Sequence, residues 1–156
     1  MFNKKGDGYI STCVLIVILC MLISVFVTFV SAVNIVRQTK RNARVVLDGF
    51  VMTNSIEIYD SIKNGNDHTE EIDASEYINE FSSFNSLDLS NGMLYCYDDD
   101  GNELYRITAP DVSFVREKRL KIKSEFVIII PIYFAGIRVT EATVPIKVVS
   151  LLTEKY

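Results

Sequence analysis

Residues 9–36 read YISTCVLIVILCMLISVFVTFVSAVNIV and contain no Asp, Glu, Lys, Arg or His. A helix of this length is ~42 Å long, which exceeds the ~30 Å hydrocarbon core of a bilayer. Lipid offers the backbone no hydrogen-bond partner, so a segment that crosses it must be helical. The stretch therefore predicts one transmembrane helix, around which the rest of the 156-residue chain is organised.

A cleaved secretory signal is the alternative interpretation of this stretch. Such a signal has a shorter apolar region that ends in a small-x-small cleavage site. Ser31-Ala32-Val33 matches that site poorly, and the apolar run continues to Val36. The basic residues that follow are typical of a stop-transfer flank, so a retained anchor is favoured. They are Arg37, Lys40, Arg41 and Arg44, and we expect them to contact lipid headgroups.

The remaining residues, 37–156, are enough for one small domain. The formal net charge is -4, with bases concentrated just after the span and acids from Glu57 to Glu103. Beyond the basic residues next to the span, no basic face with interleaved aromatics indicates a nucleic-acid partner. Cys13 and Cys20 lie seven residues apart on the predicted helix, ~10 Å between Cα atoms, too far for a disulfide. With Cys96 alone in the polar region, the cysteines predict neither a disulfide framework nor a metal site.

No constellation of catalytic residues is present in the sequence. His68 is the single histidine, and no nucleophile with a base or phosphate-binding loop accompanies it. The acidic turn at residues 98–102 raises the question of calcium. An EF-hand alignment would place Cys96 and Ile107 at ligand positions, so a hairpin turn is favoured. We expect no catalytic, cofactor-binding or metal-binding residues and no enzyme activity.

Residues 37–64 have helical character and are expected to continue the membrane helix; two helices broken near Arg37 are the alternative. Apolar residues recur at helical spacing and predict a stripe that packs on the following domain. The stripe consists of Val45, Met52, Ile56 and Tyr59, widened by Ile58 and Ile62. Gly49 fills one step of it and permits a bend there, and Asn64-Gly65 are residues suited to a helix end.

Residues 65–156 predict a polar loop, a short helix and an antiparallel sheet. The helix covers residues 74–84, where Tyr77, Ile78, Phe81 and Phe84 share a face. A hairpin is expected from MLYCY and ELYRI around Gly101, then a short strand at 111–116. Two long strands follow, 120–130 and 137–152, with a turn at Ala135-Gly136. Pro131 and Pro145 predict bulges or backbone that faces an open edge. The fold class is α+β, with the long helix packed on the sheet.

The start of the chain resembles a known family. KKGDGYISTCVLIVIL looks like a prepilin leader followed by its apolar helix. With the amphipathic continuation and the strand-rich tail, it resembles TadE-like or minor pilin-like proteins of tight-adherence (Tad/Flp) pilus loci or type II secretion-like systems. The resemblance implies leader cleavage after Gly6 or Gly8. Pilins usually carry a glutamate early in this helix, whereas Ser11 or Cys13 would be the fifth residue here. A flexible, uncleaved tail at residues 1–8 is the alternative.

The resemblance also implies how the protein acts and where it lies. It implies a non-enzymatic, single-pass cell-membrane protein whose helix packs against other pilin-like or secretion-platform proteins, or against further copies of itself. Small residues allow such close approach in lipid. The expected contact face is Ser24, Thr28, Ser31 and Ala32, unless these residues merely tolerate lipid.

Two orientations follow from different arguments. Pilin-like proteins place the C-terminal domain outside, and we expect that arrangement. Lys4 and Lys5 before the span, against four bases after it, predict a cytoplasmic domain by charge count alone. The alternative function is a single-pass sensory or scaffold protein with a small ligand- or partner-binding domain.

Overall fold

The computed structural model describes residues 4–55, 74–116, 120–134 and 137–151. Within these residues, two helices precede a six-stranded antiparallel sheet, so the α+β prediction is confirmed. The helices are α1 (Lys4–Thr53) and α2 (Ala74–Asn85). The strands are β1 (Asp88–Ser90), β2 (Met93–Tyr97), β3 (Glu103–Thr108), β4 (Asp111–Arg116), β5 (Leu120–Phe134) and β6 (Ile137–Leu151).

The chain divides into two compact units, Met1–Ile35 and Val36–Tyr156, and α1 belongs to both. The first unit is helical from Lys4, so Gly6 and Gly8 lie in the first turns of α1 rather than in a separate tail. Its large apolar side chains, such as Leu15 and Phe26, are exposed. This exposure is typical of a helix whose solvent is lipid.

The part of α1 in the second unit buries one face, and it is not the predicted one. The buried residues are Thr39, Ala43, Val46, Leu47, Phe50 and Val51, at helical spacing. Val45 is 51% exposed and Met52 is 77% exposed, so the predicted stripe is wrong at both positions. Gly49, which fills one step of the stripe, is also exposed, and the other members lie outside the described residues. The buried face instead includes Val46 and Phe50, the residues next along the chain from Val45 and Gly49, so the predicted stripe is out of phase by one residue.

α1 continues through Gly49 without interruption, and a Cβ added there would meet nothing within 4 Å. The predicted extension of the helix to residue 64 lies outside the described residues. α2 agrees closely with the prediction, and Tyr77 and Phe81 are fully buried. Phe84, predicted on the same face, lies one residue before the end of α2 and is 56% exposed.

The sheet is a meander centred on β5. β2 and β3 form the predicted hairpin, and Gly101 adopts the positive φ of 81° that its turn requires. β4 agrees with the predicted short strand. β6 pairs with β5 along nearly its whole length, and β3 and β4 pair with β5 at different positions. Because a strand has two edges, β3 and β4 share the edge opposite β6.

β3 and β4 behave as one strand interrupted by a bulge. Residues 108–110 lie opposite only two residues of β5, 126 and 127. Pro110 lies in this gap and cannot donate a ladder hydrogen bond. Instead, the Val127 N–H donates to the Thr108 hydroxyl at 2.9 Å, so a side chain replaces the missing backbone partner.

Pro145 faces the open edge of β6, which was one of the two predicted alternatives. It lies opposite Val127, whose N–H points away from β6 towards Thr108. In an antiparallel pair of this kind both residues direct their backbone groups outward. Pro145 therefore costs no bond with β5. The β5–β6 bulge lies at Ile132/Tyr133, one residue past Pro131, and the predicted turn at Ala135-Gly136 lies outside the described residues.

One face of the sheet forms the core with α1 and α2. Buried side chains alternate along the long strands: Ile122, Phe126, Ile128 and Ile130 on β5, and Ile146 and Val148 on β6. Aromatic rings connect the layers. Phe50 of α1 packs edge-on against Tyr77 at 5.8 Å, and Phe81 packs on Phe126 at 5.5 Å.

We expect Leu47→Ala to lower the free energy of unfolding by about 2–5 kcal/mol, because it leaves a cavity beneath a fully buried side chain. Met52→Ala, one turn later on the exposed side, should change it by less than about 0.5 kcal/mol. Urea unfolding of the detergent-solubilised chain measures both values. Equal losses would mean that Met52 is buried and that the predicted stripe was correct.

Candidate functional site

The first candidate site is the apolar part of α1. Its most apolar 18-residue window has a mean hydropathy of 3.2, and none of that window is buried. A soluble core helix of similar composition would be covered by the rest of the protein. α1 is therefore long and apolar enough to cross a membrane once, by length and composition.

The predicted helix-contact residues lie together on this helix. At 100° per residue, Ser24, Thr28, Ser31 and Ala32 occupy about 100° of the circumference. The Thr28 hydroxyl donates to the Ser24 carbonyl at 3.0 Å, so it is satisfied within its own helix. Such internal bonding suits a hydroxyl in lipid, where water is absent. The face therefore combines small size with low polarity, and a second helix can approach it closely.

The predicted headgroup residues form a basic side of α1 just after the span. Arg37, Lys40, Arg41 and Arg44 are all exposed and lie within about 100° of the helix circumference. Arg44 is 3.9 Å from Asp48, a weak pair with both side chains largely in solvent. This arrangement leaves the basic side accessible to anionic groups.

Polar contacts attach the start of the second unit's helix to the sheet. The Tyr105 hydroxyl of β3 interacts with Thr39, which is 2% exposed, and with Cys96 on the neighbouring strand. Burial, with a smaller contribution from Cys96, raises the pKa of Tyr105 to about 12, and the hydrogen bond to Thr39 opposes that rise. Tyr105 therefore stays protonated and available as a donor throughout the neutral range.

Two further hydrogen bonds fix the helix against its neighbours. The Ser150 hydroxyl donates to the Asp48 carboxylate at 2.5 Å, and Asn42 donates to the Asn85 side chain at 2.8 Å. They connect α1 to β6 and to the end of α2. Hydrogen bonds are directional, so these two contacts fix the rotation of α1 about its own axis. Apolar packing alone would allow more than one rotation.

A buried hydroxyl pair lies between α2 and β5. The Tyr77 hydroxyl donates to the Ala43 carbonyl at 3.5 Å, and burial raises its pKa. The Ser124 hydroxyl opposes that rise, yet its contact does not satisfy hydrogen-bond geometry, so its oxygen is buried without a full partner.

The acidic turn between β2 and β3 is stabilised by hydrogen bonds between its own residues. The Asp98 carboxylate accepts hydrogen bonds from the backbone N–H of Asn102 at 2.7 Å and of Asp100 at 3.0 Å, and from the Asn102 side chain. These bonds, with the Asn102 backbone first, lower the pKa of Asp98. The expected hairpin turn is confirmed. Among the described residues, no group of three or more His, Cys, Asp or Glu is placed to hold a metal ion.

An ionic network on the outer sheet face was not predicted. Arg106 pairs with Glu103 at 2.7 Å and with Glu141 at 2.9 Å, and Arg138 pairs with both carboxylates. Its members come from β3 and β6, which lie on opposite sides of β5. Sequence reasoning could have found it only from the pairing register of three strands. Its charges compensate one another, so it presents no net charge.

No protein-family model, curated protein or solved structure matches the chain. His68 and the polar loop around it lie outside the described residues. What the chain does must therefore be inferred from the span, its basic flank and the faces of the second unit.

We expect stability to fall as pH rises from ~10, where an ordinary tyrosine titrates, to about 12, the pKa of Tyr105, because the unfolded chain loses this proton first. Tyr105→Phe should reduce the loss. The measurement is the free energy of unfolding in urea at about pH 9 and about pH 11 for both proteins. The variant also loses the bond to Thr39, so the test is the difference between the two pH values. An unchanged difference would contradict the assignment.

Proposed function

We propose that the protein is a single-pass membrane protein that serves as a minor pilin-like component of a pilus-assembly or related secretion machine. In this role α1 packs against helices of partner proteins within the membrane. The observation that carries the proposal is the continuity of α1 from Lys4 to Thr53. Its first part is exposed and apolar, and its last part forms the core of an antiparallel sheet domain.

An exposed apolar segment joined to a folded domain suits a protein that assembles with others in a membrane. A single helix, α1, includes both the apolar segment and the residues that pack on the sheet. The resemblance of the N-terminal sequence to TadE-like proteins supports the same function. The missing early glutamate favours a membrane-resident role over classical fibre polymerisation.

The contact face for partners is Ser24, Thr28, Ser31 and Ala32. In lipid there is no hydrophobic force between helices, so association depends on close packing and on polar contacts. The small side chains of this face allow close packing, and its hydroxyl oxygens can still accept a hydrogen bond from a partner helix. The partners on this proposal are other pilin-like or secretion-platform proteins, or a second copy of the chain.

Orientation separates this function from the alternative. We expect the second unit to lie outside the cell. In a background with Cys13, Cys20 and Cys96 changed to serine, Ser90→Cys places a thiol on exposed β1. We expect a membrane-impermeant thiol reagent to label it in intact cells as fully as in lysed cells.

Labelling of this variant only after lysis would contradict the outside orientation. It would agree with the four bases that follow the span and would favour a cytoplasmic, membrane-tethered scaffold. A cytoplasmic protein with a single exposed cysteine serves as the control for cell integrity. The parent without cysteines serves as the control for the specificity of labelling.

Changing the small face should weaken assembly. We expect Ser24→Leu with Ser31→Leu to reduce co-purification with partner membrane proteins roughly three- to thirtyfold, as expected for losing ~0.6–2 kcal/mol of helix packing. Phe26→Leu with Phe29→Leu is the matched control, because it also adds two leucines but on another side of α1. Quantitative mass spectrometry after mild detergent extraction measures both. Equal losses from the two pairs would remove the small face as the contact site.

A further inference from the structure

β1 and β2 are connected by a two-residue turn, Asn91-Gly92. Ser90 lies opposite Met93 in the pairing of the two strands, so only these two residues lie between them. Both have positive φ, 50° at Asn91 and 74° at Gly92. A two-residue hairpin loop with positive φ at both positions is a type I′ turn, and Asn-Gly is a sequence that this turn favours.

Asn-Gly is also a chemically labile dipeptide. Asparagine is prone to lose ammonia, most readily before glycine, which has no side chain to hinder the reaction. The Gly92 nitrogen attacks Cγ of Asn91 and closes a five-membered succinimide ring. The bond from Cγ to the side-chain nitrogen breaks, and ammonia leaves with the proton of the attacking nitrogen. Water then opens the ring at one of its two carbonyls and yields aspartate or isoaspartate.

No packing shields this dipeptide from the reaction. Asn91 and Gly92 are both exposed, and a Cβ added to Gly92 would meet nothing within 4 Å. Water reaches the turn freely, and no neighbouring side chain blocks the path of the Gly92 nitrogen. Whether the ring closes therefore depends on the backbone conformation of Asn91.

The conformation of the folded turn opposes ring closure. The ring contains both Cβ of Asn91 and the Gly92 nitrogen, so these two atoms must lie on the same side of the bond from Cα to the carbonyl carbon. In a type I′ turn the ψ of the first turn residue is about +30°. For an L residue this value places the following nitrogen on the opposite side of that bond from Cβ. No side-chain rotamer of Asn91 can then bring Cγ to the nitrogen.

We propose that Asn91-Gly92 is a modification site whose deamidation is controlled by the β1–β2 hairpin. The folded turn prevents ring closure, and opening of the hairpin permits it, because ψ of Asn91 is then free to change. The inference concerns a different part of the chain from the proposed function and does not depend on membrane insertion.

The isoaspartate product makes the opening irreversible. It lengthens the main chain of the turn by one carbon, so a two-residue type I′ turn cannot form again and β1 loses its register with β2. β1 lies at the end of the sheet and pairs with β2 alone among the described strands. Leu94 of β2 stays fully buried and paired with β3. The change is therefore limited to the edge of the sheet.

Peptide mapping by mass spectrometry tests this proposal, because both products carry the mass gain of an amide converted to a carboxyl. The full-length chain in detergent is incubated at mildly alkaline pH, with and without enough urea to unfold the second unit. Asn64-Gly65 is the same dipeptide elsewhere in the sequence, and its rate in urea gives the reference for an open chain.

We expect Asn91 to react in urea at a rate similar to that of Asn64. Without urea it should react at least about tenfold more slowly than in urea, since a folded hairpin opens only transiently. Equal rates for Asn91 with and without urea would overturn the proposal.

Two proline variants test the role of the hairpin itself. Asp88 lies opposite Tyr95, two residues from the paired Ser90, so its N–H donates to β2, whereas the N–H of Leu89 points away from β2. Without urea we expect Asp88→Pro to raise the rate at Asn91 roughly three- to tenfold, as expected for the loss of one hydrogen bond. Leu89→Pro should leave the rate unchanged.

Equal rates at Asn91 in the two proline variants would overturn control by the hairpin. Circular dichroism of both variants shows whether the second unit remains folded. If Asp88→Pro fails to fold, the comparison of the parent chain with and without urea decides the proposal on its own.

Discussion

The packing of one face of α1 on one face of the sheet is the interaction on which the second unit depends. An antiparallel sheet with alternating side chains must cover its apolar face, and a sheet this small cannot do so by folding on itself. Leu47 and Phe50 provide that cover, with Tyr77 and Phe81 of α2 beside them. The α1 residues that cover the sheet all follow Ile35, so they belong to the same compact unit as the sheet.

Elements determined by local signals were predictable from the sequence. The hairpin around Gly101 follows from turn chemistry, and α2 follows from the helical spacing of Tyr77 and Phe81. Which face of α1 is buried was not predictable from the sequence. Val45 and Met52 are as apolar as Val46 and Leu47, and only the position of the sheet decides which pair is covered. A periodic pattern establishes that a face exists, whereas packing selects it.

The contacts between residues far apart in the sequence could not be predicted, for a related reason. The pairs that join Arg106 and Arg138 to Glu103 and Glu141 depend on the registers of β3, β5 and β6 together. A shift of one residue in any of them moves a side chain to the other face. The bond from Ser150 to Asp48 likewise joins positions about a hundred residues apart in the sequence. In the candidate site, by contrast, the positions of the small face and the basic side on one helix followed from helical spacing, and their contacts stay predictions.

The edges of the sheet bear on how the protein meets its partners. The outer edge of β6 pairs with no strand among the described residues, yet Pro145 removes one outward N–H at its centre and Lys147 places a charge close by. Proline and lysine on an edge oppose the addition of a further strand. Growth of the sheet into another protein is therefore disfavoured at this point. The surface that the proposed function assigns to partner contact is the small face of α1. An assembly built through that face would depend on close helix packing in lipid, where no hydrophobic force acts between helices.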